Sequence, residues 1–125
     1  MPIVALQLVL APGSTIPHGL PQCVADELGK VFTCGPGQVW VQLSTLAATE
    51  YAENLVAMGE DELPVFVTLL HADLPQSAVR AVEALRICQA IARCVGRPVE
   101  RVHLEYAPSG RGRVAFGGKI GRAHV

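Results

Sequence analysis

The sequence predicts an α+β fold, two tandem βαβ units forming a four-stranded mixed sheet with two helices on one face. Three observations predict it. The order strand, helix, strand occurs twice, and "PIVALQLV" from Pro2 is echoed 62 positions later by "PVFVTLLH" from Pro64. Two strands joined through a helix are parallel, and their crossover is right-handed. The segments "VALQLVL" and "VFVTLL" are apolar on both faces, as strands covered on both sides are. Two helices cover one face only, so other subunits are expected on the second, in an obligate homo-oligomer.

The first strand starts at Pro2, where a missing N–H does no harm at a strand's first residue. A Pro-bearing loop, "APGSTIPHGLP", leads to a helix over roughly Pro21 to Phe32, with Val24, Leu28 and Val31 on one face. Gly35, Pro36 and Gly37 stop it, and "QVWVQL" from Gln38 reads as the second strand. The segment "AATEYAENLVAMGEDEL" joins the units, and its Glu60, Asp61 and Glu62 read as a solvated linker.

In the second unit the third strand begins at Pro64. Asp73, read as a cap, and Pro75 open a helix that runs to about Val95, where Gly96 and Pro98 end it. Its polar residues Arg80, Glu83, Arg86, Gln89 and Arg93 recur every three or four positions, which predicts one narrow stripe facing water. The fourth strand is "RVHLEY", Arg101 to Tyr106, and "GRVAFGG" reads as a short extended piece with a Gly-Gly turn. The chain is thus read as one domain over 1–125: a first unit at about 2–46, a connecting segment at 47–63 and a second unit at 64–120.

Composition narrows the function classes. The 125 residues are 50% hydrophobic and 17% charged, with a formal net charge of −1. That balance offers no general attraction to nucleic acid or to an anionic membrane, and neither partner is expected. The apolar runs fall short of the ~20 residues of a membrane span, and no basic segment precedes the first, so a cytoplasmic location is expected. Cys23, Cys34, Cys88 and Cys94 form no C-x-x-C pair. They read as small buried apolar residues, with no metal site and no cofactor indicated.

Pro2 has a second reading. A small residue after the initiator favours removal of Met1, which leaves Pro2 a free secondary amine. The reference value for an α-amino group is roughly 8, and burial or a nearby cation moves it toward neutrality, where a general base works best. The nitrogen of Pro64 is locked in an amide and has no such use.

A proline after the initiator Met, two βαβ units of this size and a Gly-Gly turn near the C-terminus resemble the tautomerase superfamily. The resemblance is to its 4-oxalocrotonate tautomerase-like, two-unit form, similar in architecture to macrophage migration inhibitory factor and malonate semialdehyde decarboxylase. It covers Pro2 to about Ile120, and the second half, from Pro64 on, reads like a complete single-unit chain. It implies a homotrimer and a cofactor-independent isomerase. Pro2 would be the catalytic general acid/base, moving a proton in a keto-enol or double-bond shift on a small 2-hydroxydienoate or α-keto acid.

The pattern also departs from the family. Arginines that hold substrate carboxylates follow the first strand and sit on the second in 4-oxalocrotonate tautomerase-like members. Those places here hold Pro12 and Trp40, and Leu74 and His103 in the second unit. The lysine expected before the second strand is absent from "TCGPGQ". Replacement cations are sought in "SGRGRV", where Arg111 and Arg113 have the fork geometry that suits a carboxylate; the other reading of this loop is a solubilising turn.

His103 and Glu105, two apart on a strand, share a face. The resemblance places that strand against a neighbouring subunit's proline, with His103 donating to a substrate oxygen and Glu105 as polariser or acceptor of a water proton. Taken alone they read as a hydrogen-bonded pair. Trp40 and Phe116 are candidates for an apolar pocket wall or for packing, and His71 is a further candidate beyond the third strand. His18 and His124 carry no readable signal. The alternatives kept are a decarboxylase or hydrolytic dehalogenase of the same superfamily, with Glu105 activating water, and a catalytically idle metabolite-binding trimer.

Overall fold

The computed structural model describes residues 2–120. Six strands and two α-helices occur among them in order, besides short 3₁₀ turns: β1 (Ile3–Leu10), α1 (Leu20–Phe32), β2 (Trp40–Ala47), β3 (Val65–Leu70), α2 (Ser77–Val95), β4 (Val102–Tyr106), β5 (Ala115–Phe116) and β6 (Lys119–Ile120). The four long strands form one sheet in the order β2-β1-β3-β4. β1 runs parallel to β2, β3 parallel to β4, and the two units meet in an antiparallel ladder between β1 and β3. This is the α+β architecture expected from the repeat.

Alternation divides each strand between two faces. Val4, Leu6 and Leu8 of β1 and Val65, Val67 and Leu69 of β3 are buried with Val24 and Leu28 of α1 and Ile87, Ala90 and Ile91 of α2. Both helices therefore lie on that face. Burying each large side chain contributes about 1.5–3 kcal/mol, and this shared layer holds the two units together. The opposite face carries Ile3, Phe66, Leu70 and Leu46, half-buried, among Gln42, Ser44, Thr68, His103 and Glu105, all exposed. No helix covers it among the described residues.

Helix α1 matches its expected span, opening with Pro21 in its first turn and closing with Thr33 in the left-handed region at φ 54°. Helix α2 starts later than expected. Its N-cap is Gln76, not Asp73, because the residue before a proline resists the helical region and the turn through Pro75 ends extended. Gly96, at φ 71°, closes it as the left-handed cap a glycine adopts without strain.

Two expectations about α2 and the cysteines are corrected. Water does not face a narrow polar stripe alone: Val79, Val82 and Leu85 are each more than half exposed, whereas Glu83 is turned partly inward. Val82 and Leu85 lie on the side of the helix opposite the buried Ile87 and Ile91, whereas Arg80 and Glu83 of the same turns face the sheet. Cys23 is exposed, and Cys34, Cys88 and Cys94 are half-buried, since they sit on helix flanks and in a turn and not in the central layer. Burial still pushes the Cys88 thiol up, and burial together with neighbouring Cys23 pushes Cys94 to about 12. No helix among the described residues is long and apolar enough to cross a membrane.

The connecting segment is pinned to the sheet by polar contacts. Tyr51 Oη donates to Glu53 Oε2 at 2.6 Å and Arg101 Nη2 donates to the same oxygen at 2.9 Å. Arg97 Nη1 donates to the carbonyls of Leu63 and Pro64, at 3.1 and 3.0 Å. Beyond Glu53 the chain projects Leu55, fully exposed and at φ 63°, an uncommon conformation for a bulky residue. The acidic stretch Glu60–Glu62 is a solvated 3₁₀ turn.

Leu28, fully buried between α1 and the sheet, is expected to cost about 2–5 kcal/mol on substitution by alanine, read from urea unfolding. The hydrogen bonds from Tyr51 and Arg101 hold the Glu53 carboxyl below its usual range. A depressed carboxyl stabilises the fold above its unfolded-state value and loses that contribution as pH falls through its folded value. Glu53→Gln should therefore be less stable than wild type at neutral pH, with the gap closing once the pH drops below about 4. Equal urea midpoints at pH 7 would show that the pair contributes nothing.

Candidate active site

Pro2, Trp40 and Phe116 are linked by successive contacts at the amino end of β1. Pro2 is buried there, and its carbonyl accepts a hydrogen bond from the Trp40 amide at 3.1 Å, which extends the β1–β2 ladder by one step. Trp40 is 42% exposed and donates its indole N–H to the Gly37 carbonyl at 3.0 Å. Phe116, on the C-terminal hairpin, meets Trp40 edge to face at 5.5 Å. Trp40 pairs with Ile3, so the two aromatics form one wall on the helix-free face at the start of β2, and the turn at Gly117 and Gly118 returns the chain as β6.

The loop after β4 closes over the end of β3. Ala107 donates to Leu69, Gly110 to His71 and Arg111 to Ala72, all main chain to main chain at 2.7–3.0 Å. Gly110 lets the loop pack closely: a Cβ there would lie 3.0 Å from Leu70 and 3.2 Å from the His71 carbonyl, so a larger residue would push its neighbours aside. Ser109 Oγ accepts from the Leu74 amide. This loop sets the place of the two candidate arginines. Arg111 forks onto Asp73, with Nε 2.9 and 3.0 Å from the two carboxylate oxygens and Nη2 also in contact. The guanidinium holds the Asp73 carboxyl below its ordinary range. Asp73 is thus an ion-pair partner and not a helix cap. Arg113 is exposed and makes no ion pair among the described residues.

His103 and Glu105 lie elsewhere. Both are exposed on the helix-free face of the edge strand β4, opposite Phe66 and Thr68 in register, and the His103 ring lies 5.7 Å from that of Phe66. Within one chain they stand two strands from β1, a lateral distance of ~10 Å, so they do not meet Pro2 of their own subunit.

Three residues on the helix side form a group that the sequence does not reveal. His71 Nε2 lies 2.9 Å from Glu83 Oε1, and Tyr106 Oη donates to the same oxygen at 2.9 Å. The Phe32 ring meets His71 edge to face at 5.3 Å, and Tyr106 stacks beside it at 6.1 Å. The His71 and Glu83 side chains are only 15% and 18% exposed. Burial and the bond to Glu83 push the Tyr106 hydroxyl well above the usual tyrosine range, which keeps it a donor. A signal for Glu83 exists: it lies four residues before Ile87, on the buried face of α2.

A hollow of about 850 Å³ runs along the outer edge where α1 overhangs β2, between Lys30, Cys34 and Val41. It contains none of the candidate residues. Among the described residues, no three His, Cys, Asp or Glu side chains surround a common point suited to a metal ion.

No protein-family model matches the chain, and no curated protein does. Solved structures do. Macrophage migration inhibitory factor from Trichinella spiralis superposes with a TM-score of 0.72 at 13% identity, over 94% of this chain and 98% of that one. A fused 4-OT wild-type symmetric trimer gives 0.73 at 10% identity, over 94% and 97%. A member of the cis-3-chloroacrylic acid dehalogenase family gives 0.70 at 18% identity, over 94% and 82%. At such identities the likeness speaks of architecture alone, and it is consistent across all three: this chain has the fold shared by macrophage migration inhibitory factor, the fused 4-OT trimers and a member of the cis-3-chloroacrylic acid dehalogenase family.

Proposed function

We propose that the protein is a cofactor-independent tautomerase that moves a proton within a small enolisable carboxylate, with Pro2 as general acid/base. The observation that carries the reading is the burial of Pro2 at the amino end of β1, where its carbonyl pairs with the Trp40 amide, in a fold whose solved examples include a 4-OT trimer. Freed by removal of Met1, the Pro2 nitrogen is a secondary amine in a partly apolar setting, and burial favours its neutral, basic form. It takes a proton from a carbon or enol oxygen and returns it at the second position, so no redox partner is consumed. Arg113, unpaired within the described residues, is the cation assigned to the substrate carboxylate; Arg111 serves there only by sharing its fork with Asp73.

Self-association belongs to the same reading. The helix-free sheet face, with Ile3, Phe66 and Leu70 on its two inner strands, and the strained, exposed Leu55 are what a subunit interface would cover. A homotrimer also supplies His103 and Glu105 to a neighbour's Pro2, from which they are remote in their own chain. The exposed carboxylate of Glu105 and the likeness to a dehalogenase-family member favour one second reading, in which Glu105 activates water for decarboxylation or hydrolytic dehalogenation.

Intact mass is expected to show the loss of Met1, and phenylenolpyruvate or 2-hydroxymuconate should be ketonised by wild type. Pro2→Ala should lower kcat/KM by about 10²–10⁴-fold, the span of general acid–base catalysis. Retained Met1, or a Pro2→Ala variant as active as wild type, overturns the tautomerase reading; a Glu105→Gln variant as impaired as Pro2→Ala transfers support to water activation. Sedimentation equilibrium should return three chain masses, and a monomer at micromolar concentration sinks the trimer.

A further inference from the structure

We propose that His71 and Glu83 form a positioning pair behind Pro2, in which Glu83 holds His71 so that the imidazole accepts a hydrogen bond from the protonated Pro2 amine. The inference rests on the reading of Pro2 as a free catalytic amine. Strand register puts the groups together. The β1–β3 ladder ends with Ile3 paired to Leu70, and continuing its register one step past the ladder sets Pro2 opposite His71. Partners across an antiparallel pair are about 4.5–5.5 Å apart at Cα and point to the same face. His71 is on the helix side, since it bonds to Glu83 of α2 and packs on Phe32 of α1. Pro2, in step with Val4 and Leu6, belongs to the same side and is itself buried.

The hydrogen bonds fix the chemistry. With Nε2–H donated to Glu83, a neutral imidazole carries its lone pair on Nδ1. A protonated secondary amine has two N–H bonds, one for Nδ1 and one for the substrate. Glu83 accepts from both His71 and Tyr106, so its charge stands behind the ring at little exposure to water. That charge favours the protonated amine and opposes burial, which favours the neutral one. The balance suits a group that first takes a proton from substrate and then gives the same proton back. No proton is lost to His71, which only holds the amine in place.

Other groups facing the pair are few. From α2 come Arg80, which acts on Tyr106, and Cys88; from β4, Tyr106; from α1, the uncharged Phe32 ring. The Asp73–Arg111 ion pair lies at the exposed rim of the same end, and Lys119 stands opposite Phe116 on the C-terminal hairpin.

The test is the titration of Pro2 itself, followed by NMR on protein labelled at proline with ¹⁵N, beside the pH profile of kcat/KM. Glu83→Gln keeps the shape and removes the charge, and should lower the Pro2 midpoint by about one pH unit, the low end of the effect of a nearby charge. His71→Gln should lower it similarly, and the double variant no further than either alone, because the two act as one unit. Tyr106→Phe removes a competing donor from Glu83 and should move the midpoint upward, an opposite sign that loss of packing does not produce. The kcat/KM limb should follow the midpoint in each variant. A free Pro2 whose midpoint ignores all three substitutions overturns this inference and leaves the tautomerase reading standing. Retained Met1 overturns both.

Discussion

The antiparallel ladder between β1 and β3 is the constraint on which the other features depend. Each βαβ unit alone has one helix over two parallel strands and an open strand edge where its partner should be. Pairing β1 with β3 closes both edges at once and sends the two right-handed crossovers to the same face. The helices then share one apolar layer with the inner strands. The same pairing brings the amino end of β1 beside the carboxyl end of β3, which is why a residue at the start of the chain neighbours loops from the middle and the end.

That meeting point is unusual in composition. Most of the helix side of the sheet is Val, Leu and Ile, yet its Pro2 end carries an imidazole, a carboxylate and a phenol joined through one oxygen. Each is partnered, so the desolvation cost of placing polar groups under the helices is largely offset by hydrogen bonds. A purely structural need there would be met more simply by apolar side chains of similar volume. The arrangement instead concentrates hydrogen-bonding capacity at the one strand end where the reactive amine is proposed.

The architecture was legible in the sequence because it is repeated. The echo of Pro2 by Pro64 located both first strands, Gly35–Gly37 and Gly96 marked both helix ends, and the Gly-Gly pair marked the hairpin. The features that were not legible depend on contacts across the fold. Glu83 lies four residues before the buried Ile87, which turns it toward the core, but nothing in the sequence shows that His71 and Tyr106 meet it there. Asp73 has the form of a cap, and its partner Arg111 lies 38 residues away, in a loop whose course depends on Gly110. Arg111 and Arg113 are equivalent in sequence and differ in structure because one of them meets that carboxylate. The exposure of Val82 and Leu85 escapes a reading that marks the outward side by polar residues alone, although both apolar side chains lie opposite Ile87 and Ile91 around the helix.

Pro64 illustrates the effect of linking two units in a single polypeptide. As an interior residue it has no amine, and its carbonyl is held by the Arg97 guanidinium and the Val9 amide. Joining two units end to end halves the number of amino termini per unit of fold, so the second copy is released from any requirement to keep a reactive terminus. Its proline is free to become a structural anchor, and the chemistry at the joined copy's counterpart position is free to drift. With Pro2 as the proposed amine, one unit supplies the reactive group and the other its surroundings, with Pro64 held as a structural anchor.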